Sequence, residues 1–219
     1  MSPPTAAAAR RQTAGRSAVA KRRAVVRRRR RSAVAIVLVG VVVAAVVLGL
    51  PFARKAVNEL GLPLHYQDVI RQQAADKHLD AALIAGVIYA ETKFDARTSS
   101  AGAVGLMQIL PATARFLAHR SGATTFSTAD LSTPQVNIAY GSYYLRYLLD
   151  EYHGSTVLAL AAYNGGEANV NRWIGAKGGR PEDFKIEDIP FPETRAYVDR
   201  VLSARRDYRQ TYARQLGYG

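Results

Sequence analysis

The chain has 219 residues, room for one membrane segment and one domain of ordinary size but not for two large domains. It carries 30 Lys and Arg against 17 Asp and Glu, a net charge of +13, and no cysteine, which excludes disulfides, thiolate metal sites and cysteine nucleophiles. Eleven of the basic residues and no acidic one fall in residues 1–32, so the remainder is nearly neutral at +2, which argues against a folded nucleic-acid-binding face, and no nucleic-acid partner is expected.

Residues 1–32 consist of Ala, Pro, Ser, Thr and Arg with almost nothing large and apolar, so a disordered basic tail is expected. Ala33 to Leu50 then runs for 18 residues without a charge or a polar stripe, about 27 Å as a helix at 1.5 Å per residue. A transmembrane helix over 33–50 follows. A cleaved signal peptide is the nearer competitor, but its apolar core is shorter and ends in a small-x-small site, whereas Pro51, Phe52, Ala53 and Arg54 follow here; an uncleaved signal-anchor is expected. Eleven basic residues precede the span and only Arg54 and Lys55 follow closely, which puts the N-terminus in the cytoplasm and everything after the span outside the cell membrane. The run Arg27 to Arg31 fits retention at the anionic leaflet or a topology signal better than nucleic-acid contact. Residues 51–62 read as a linker and 63–219 as the folded domain.

Beyond Pro63 the pattern is helical, with no sustained apolar–polar alternation, and an all-α domain is predicted. Asp80 is a plausible N-cap for a helix over Ala81 to about Glu91, with Leu83, Val87 and Ala90 on one face. Pro111 suits the first turn of a short helix to about His119, and Ser132, Thr133 and Pro134 open a longer one ending near His153 and Gly154. Along the longer helix Val136, Tyr140, Tyr143, Tyr144, Tyr147 and Leu148 recur at helical spacing, a stripe read as core packing in preference to a ligand platform. Ser155 caps a helix to Tyr163, Asn164 to Gly166 break it, and Glu167 to Ile174 resumes it. The last helix begins near Pro192 and runs past Tyr208, with Tyr197, Val198, Val201 and Leu202 inward. His65, His78, His119 and His153 are far apart and lack metal-ligand spacing, so neither a metal nor a cofactor is expected.

The stretch Ile88 to Ala114 carries the candidate chemistry. Glu91 closes an apolar helical face; beside Val87, Ala90 and Phe94 a carboxyl would lose hydration and keep its proton near neutral pH, as a general acid must. The repulsive carbonyl end of the helix favours the neutral form too. An exposed Glu at a helix end is the ordinary alternative. Gly102 and Gly105 allow backbone to approach a ligand, Gln108 can hydrogen-bond hydroxyl or N-acetyl groups, and Met107 can supply an adaptable apolar contact. A Gly-bearing loop with a buried Met and Gln is equally common as plain structure. Asp95, four residues after Glu91, reads as a loop cap or solvated charge rather than as a second catalytic carboxylate.

Four motifs then occur in order: Glu91-Thr92-x-Phe94; Ser99-x-Ala101-Gly102-Ala103-x-Gly105-Leu106-Met107-Gln108-Ile109-x-Pro111-x-Thr113-Ala114; Ala162-Tyr163-Asn164-Gly165-Gly166; and Ile189-Pro190-Phe191-x-Glu193-Thr194-Arg195-x-Tyr197-Val198. Together they resemble the Slt-type lytic transglycosylase domain, related to goose-type lysozyme, over about Tyr66 to Leu202. Thr92 stands where Ser is usual, and the interval from Glu91 to Gly105 is one residue shorter than the commonest spacing. The resemblance implies a lysozyme-like helical domain that cleaves the β-1,4 bond between N-acetylmuramic acid and N-acetylglucosamine in peptidoglycan glycan strands, leaving 1,6-anhydro-muramic ends. It implies Glu91 as the one acid, acting as acid and then base, with Ser99, Gly105, Met107 and Gln108 at the sugar, Tyr163 against Glu91, Asn164 supporting that corner and Tyr197 approaching from the last helix. A lysozyme-type hydrolase on the same fold and a catalytically silent wall-binding scaffold are the competing readings.

Overall fold

A computed structural model describes residues 61–218. The expected tail (1–32), the expected membrane helix (33–50) and nearly all of the linker (51–62) lie outside the described residues. Among the described residues no helix is long and apolar enough to cross a membrane.

The described chain is mainly helical, as its periodicity predicts. The elements are α1 (Gln67–Asp76), α2 (Ala81–Thr92), β1 (Arg97–Thr98), β2 (Val104–Gly105), α3 (Pro111–Ser121), α4 (Pro134–Glu151), α5 (Thr156–Gly165), α6 (Glu167–Ala176) and α7 (Pro192–Thr211), with short 3₁₀ turns between α3 and α4 and between α6 and α7. Asp80, Pro111, Pro134, Ser155 and Pro192 stand at the helix starts expected of them, and the Asp80 side chain accepts from the Ala82 N–H at 3.0 Å.

Three details differ from the sequence reading. The segment taken as pure loop contains a two-stranded antiparallel pair, Arg97 opposite Gly105 and Thr98 opposite Val104, too short to show alternation. The break after Tyr163 is narrower than expected: α5 continues through Gly165, and Gly166 alone, at φ 85°, turns the chain into α6. The helix over Ala81 to Glu91 was read as amphipathic, yet Ala81 through Ile88 are all buried. It is the central helix, covered on every side.

That central position depends on close approach. A Cβ on Gly86 would lie 3.0 Å from the Val201 carbonyl oxygen and 3.1 Å from the Arg205 nitrogen, so α7 crosses α2 backbone against backbone. Below this crossing Asp80 binds Arg205 at 2.6 Å and Arg209 at 3.4 Å and accepts from the Tyr218 hydroxyl. Burial opposes its ionisation, but the Tyr218 and Arg205 hydrogen bonds outweigh it and hold the carboxyl below its ordinary pKa.

Gly86→Val forces a branched side chain into the α2–α7 crossing, where the nearest atoms are backbone and cannot rotate away. It should cost about 1–3 kcal/mol of stability, seen in denaturant unfolding as a lower midpoint with an unchanged slope.

Candidate active site

The buried body of α2 leads to a half-buried last turn, and Glu91 stands on that turn. The chain then reverses through two successive left-handed residues, Lys93 at φ 53° and Phe94 at φ 65°, with Phe94 buried beside Tyr208. The Thr92 hydroxyl lies 2.8 Å from the Leu106 carbonyl and 3.2 Å from that of Ile88, fixing the end of α2 to the loop after β2. Thr in place of Ser therefore keeps the hydrogen-bonding hydroxyl.

The loop itself is held from α4 by Asn137, a fully buried amide that the sequence reading passed over. Its Oδ1 accepts from Met107 N–H at 2.8 Å, and its Nδ2 donates to the carbonyls of Val104 at 2.8 Å and Leu131 at 2.9 Å. A lone amide between Val136 and Ile138 in an otherwise packing-competent run was the available signal.

Several predicted residues take positions with a packing explanation. Gly105 is buried at φ 81°, and a Cβ there would fall 2.2 Å from Asn137 Nδ2, so the backbone it brings close is opposed by Asn137. The Met107 side chain is fully buried against Gly141, where a Cβ would lie 2.3 Å from its sulfur. Ser99 stands in the β1–β2 turn: its Oγ accepts from Ala103 N–H at 3.0 Å, and its backbone N–H donates to the Ala103 carbonyl at 2.9 Å.

Others gather around an opening. A cleft of about 300 Å³ is lined by Gln108, Thr113, Tyr144, Tyr163, Asn164 and Gly166, among others. Gln108 adopts φ 48° and its Nε2 donates to the carbonyls of Arg97 and Gly105, each at 2.8 Å. Since both partners are acceptors, the amide nitrogen must face them, and Oε1 is the atom left for a ligand. Tyr144, assigned to the core by its stripe, packs against the core and lines the cleft as well.

Glu91 is not among the residues lining the cleft, but it is close enough to Tyr163, which does line it, for its charge to act on that phenol. Burial raises its pKa from 4.5 to about 7, against the pull of Tyr197, Arg200 and Arg97. Arg97 also donates from Nη2 to the Glu91 backbone carbonyl at 2.7 Å, and Arg200 lies 5.9 Å from the centre of the Tyr197 ring. Neither arginine was singled out from sequence, because contacts six and 109 positions away leave no local pattern. The Tyr163 hydroxyl, expected to orient Glu91, instead donates to the Met107 carbonyl at 2.8 Å. Tyr197 is the buried hydroxyl facing Glu91: it forms no hydrogen bond of regular geometry, yet lies near enough to draw the carboxyl's pKa down. Burial, and then the Glu91 charge, push both phenols well above their ordinary pKa, so they remain neutral donors. Asp95 is exposed, and the charged groups acting on Glu91 are both cations. Among the described residues no group of three or more His, Asp or Glu is placed to hold a metal ion. A lone carboxyl with pKa near 7 can deliver a proton and then recover one at neutral pH.

A near-neutral acid at the end of a buried helix, near a cleft in a mainly helical domain, is the arrangement of a lysozyme-like protein, and the comparisons define the group more closely. Residues 68–185 match the transglycosylase SLT domain model, so the chain belongs to that family. It is 33% identical over 150 residues to the soluble lytic murein transglycosylase of Escherichia coli K12, covering 67% of this chain and 23% of the relative. It is 35% identical over 117 residues to membrane-bound lytic murein transglycosylase C of Glaesserella parasuis, covering 49% and 32%. Among solved structures, the 70-kDa soluble lytic transglycosylase of E. coli superposes with a TM-score of 0.66 at 30% identity, covering 78% of this chain and 28% of that one. An inactive Glu-to-Gln mutant of the lytic transglycosylase Slt from Pseudomonas aeruginosa does so at 0.64 and 32%, covering 71% and 26%. The chain thus spans about a quarter to a third of the length of these proteins. The matched family stretch ends before α7, so Tyr197 lies outside it.

The raised pKa has a consequence for stability. The folded state binds the Glu91 proton more tightly than the unfolded chain, so this group's contribution falls as pH rises from about 4.5 to about 7 and stays unfavourable above. Glu91→Gln should therefore be more stable than the parent at pH 8, by up to about 3 kcal/mol, and lose that advantage by pH 4. Thermal melts of both proteins across this range check the sign.

Proposed function

We propose that the protein is a peptidoglycan lytic transglycosylase that cleaves the β-1,4 bond between N-acetylmuramic acid and N-acetylglucosamine. The observation that carries the reading is the half-buried Glu91 carboxyl, which loss of hydration brings to a pKa of about 7, with no carboxylate among the charged groups acting on it. An enzyme using two carboxylates would need a second acid across the scissile bond. The relatives' names, which speak of murein transglycosylases, and the inactivity of the Pseudomonas Glu-to-Gln mutant support the same reading.

In this mechanism Glu91 donates its proton to the glycosidic oxygen as the bond from that oxygen to the anomeric carbon breaks. The substrate's own N-acetyl carbonyl supports the positive anomeric carbon. The glutamate then takes the proton of the muramic acid 6-hydroxyl, whose oxygen closes on the anomeric carbon to give the 1,6-anhydro ring. No water is consumed, and Glu91 ends protonated, ready for the next turnover. Tyr163 and Tyr197, both neutral, shape the surroundings of the carboxyl, while Gln108 Oε1 and Asn164 face the cleft where the sugars lie. Ser99 and Met107 act through the backbone of the loop they hold, and Gly105 through the room it leaves for Asn137.

The same reading places the span 33–50 in the membrane as a single-pass anchor, with the basic tail in the cytoplasm and the catalytic domain outside. Its support is the uncharged run and the basic flank, together with the existence of membrane-bound relatives beside soluble ones.

Purified sacculi are the decisive substrate. The parent protein should release muropeptides that each weigh one water less than the hydrolysed forms, and Glu91→Gln should lower the rate by at least about 100-fold while remaining folded. Products one water heavier would identify a hydrolase on this fold; binding without release would identify a scaffold. Because the reaction needs the protonated acid, kcat/KM should decline above about pH 7, approaching about tenfold per pH unit.

Cell fractionation addresses the anchor. The full chain should stay with membranes through an alkaline carbonate wash, with residues 61–218 open to protease added from outside, and recovery in the soluble fraction would remove the anchor from the reading.

A further inference from the structure

The aromatic lining of the cleft continues past Tyr144. Thr113, which lines it, is followed on the same side of α3 by Phe116 and Arg120, and Tyr144 on α4 is followed one turn later by Tyr147. The two ridges meet. Phe116 contacts Tyr147 edge to face with ring centres 5.4 Å apart, and the Arg120 guanidinium lies 5.0 Å from the centre of the Tyr147 ring. Tyr147 lies parallel to Tyr144 at 6.2 Å, and Tyr144 contacts Tyr163 at 5.2 Å. A continuous row of rings therefore leads from Tyr163, near Glu91, out to a cation, along about 10 Å of α3 at 1.5 Å per residue.

Two properties of the outer end have no explanation in packing alone. Phe116 is 44% exposed, although its neighbour Leu117 is fully buried. Arg120 is exposed and, among the described residues, has no hydrogen bond or ion pair with a carboxylate, although the Tyr147 ring holds it in place. The Tyr147 hydroxyl is engaged elsewhere, donating to Glu167 at 2.9 Å.

We infer that this row is an extended subsite, in which Phe116 and Tyr147 receive a sugar of the glycan strand beyond the cleaved linkage and Arg120 binds a carboxylate of the peptide attached to it. The inference rests on the glycan-cleaving reading and deepens it. The apolar C–H face of a pyranose packs on aromatic rings, and a pre-positioned guanidinium takes a carboxylate in a two-pronged hydrogen bond. The occupant follows from continuity with the cleft and from the cation at its end: Glu167 is engaged by the Tyr147 hydroxyl, and neither it nor Glu151 pairs with Arg120, which leaves the guanidinium for a carboxylate of peptide-bearing glycan.

Binding is best measured with the full chain in detergent carrying Glu91→Gln, so that no probe is consumed. Three probes separate the contributions: an uncharged N-acetylglucosamine tetramer, glycan fragments with intact peptides, and the same fragments with the peptides removed by an amidase. Adding Arg120→Ala should weaken the peptide-bearing fragments about tenfold and abolish most of their salt dependence, while leaving the tetramer and the stripped fragments within about twofold. Arg120→Lys should recover part of the loss, and Phe116→Ala should weaken all three probes. Equal effects of Arg120→Ala on stripped and peptide-bearing fragments, or none on either, would overturn the assignment of Arg120. No effect of Phe116→Ala would overturn the platform. If the Glu91→Gln protein binds no probe and the parent releases nothing from sacculi, the glycan reading itself fails; binding that is indifferent to both substitutions removes the subsite alone.

Discussion

Helix α2 has no exposed face along Ala81 to Ile88, and its last turn, Tyr89 to Glu91, stays half-buried. The last carbonyls of a helix lack partners within it and carry the negative end of its dipole. Here they are met by neighbours: the Arg97 guanidinium donates to the Glu91 carbonyl, and the Thr92 hydroxyl ties the turn to Leu106. A carboxylate on that turn would face both a low-dielectric interior and the dipole's repulsive end. The neutral form avoids both penalties, so the proton on Glu91 follows from where α2 lies before any partner is considered.

The loop between β2 and α3 is fixed by a second constraint that works through backbone atoms. Asn137 satisfies both ends of its amide on that loop and on Leu131, leaving no capacity unused in a buried position where an unmet group would be costly. Gly105 and Gly141 leave the room for Asn137 and for the Met107 side chain. With Met107 held by its side chain, its amide and the Tyr163 hydroxyl on its carbonyl, the loop has little freedom, and Gln108 is carried to the cleft in a left-handed conformation that a free glutamine would seldom adopt. In the proposed reaction these residues matter chiefly as the frame that sets Gln108 and Tyr163.

Much of this was legible wherever a local rule operates. Caps and prolines located the starts of α2 through α5 and of α7, whereas the apolar face of α2 left an exposed Glu91 as open as a dehydrated one, and the motif resemblance singled that residue out. Helix α1 was not placed, since Tyr66 enters it in a left-handed conformation without a side-chain cap, and only Ile70, Gln73 and Ala74 are buried in an otherwise polar run. Gly105 and Met107 were legible as unusual, but their surroundings come from α4, some thirty residues on. The same holds for Arg200 and Tyr197, brought to Glu91 from α7 by a crossing that depends on Gly86. Sequence shows which residues cannot be ordinary surface; what they touch is decided by how the helices cross.

The pKa of Glu91 is a balance, and the balance point suits the two tasks that the proposed reaction gives it. Burial by itself would keep the proton so firmly that the later step, in which the same group acts as a base, gains little from returning to the protonated state; full exposure would leave it ionised and unable to begin. Arg97, Arg200 and the Tyr197 hydroxyl offset part of the burial without forming a tight ion pair with the carboxyl, so the charged form remains within reach. A close, hydrogen-bonded arginine would have pulled the carboxyl toward the ordinary acidic range and removed its value as an acid. Arg97 bonded to the Glu91 backbone carbonyl and Arg200 beside the Tyr197 ring fit the proposed reaction, in which one residue would hold a proton, release it and recover it within a single turnover.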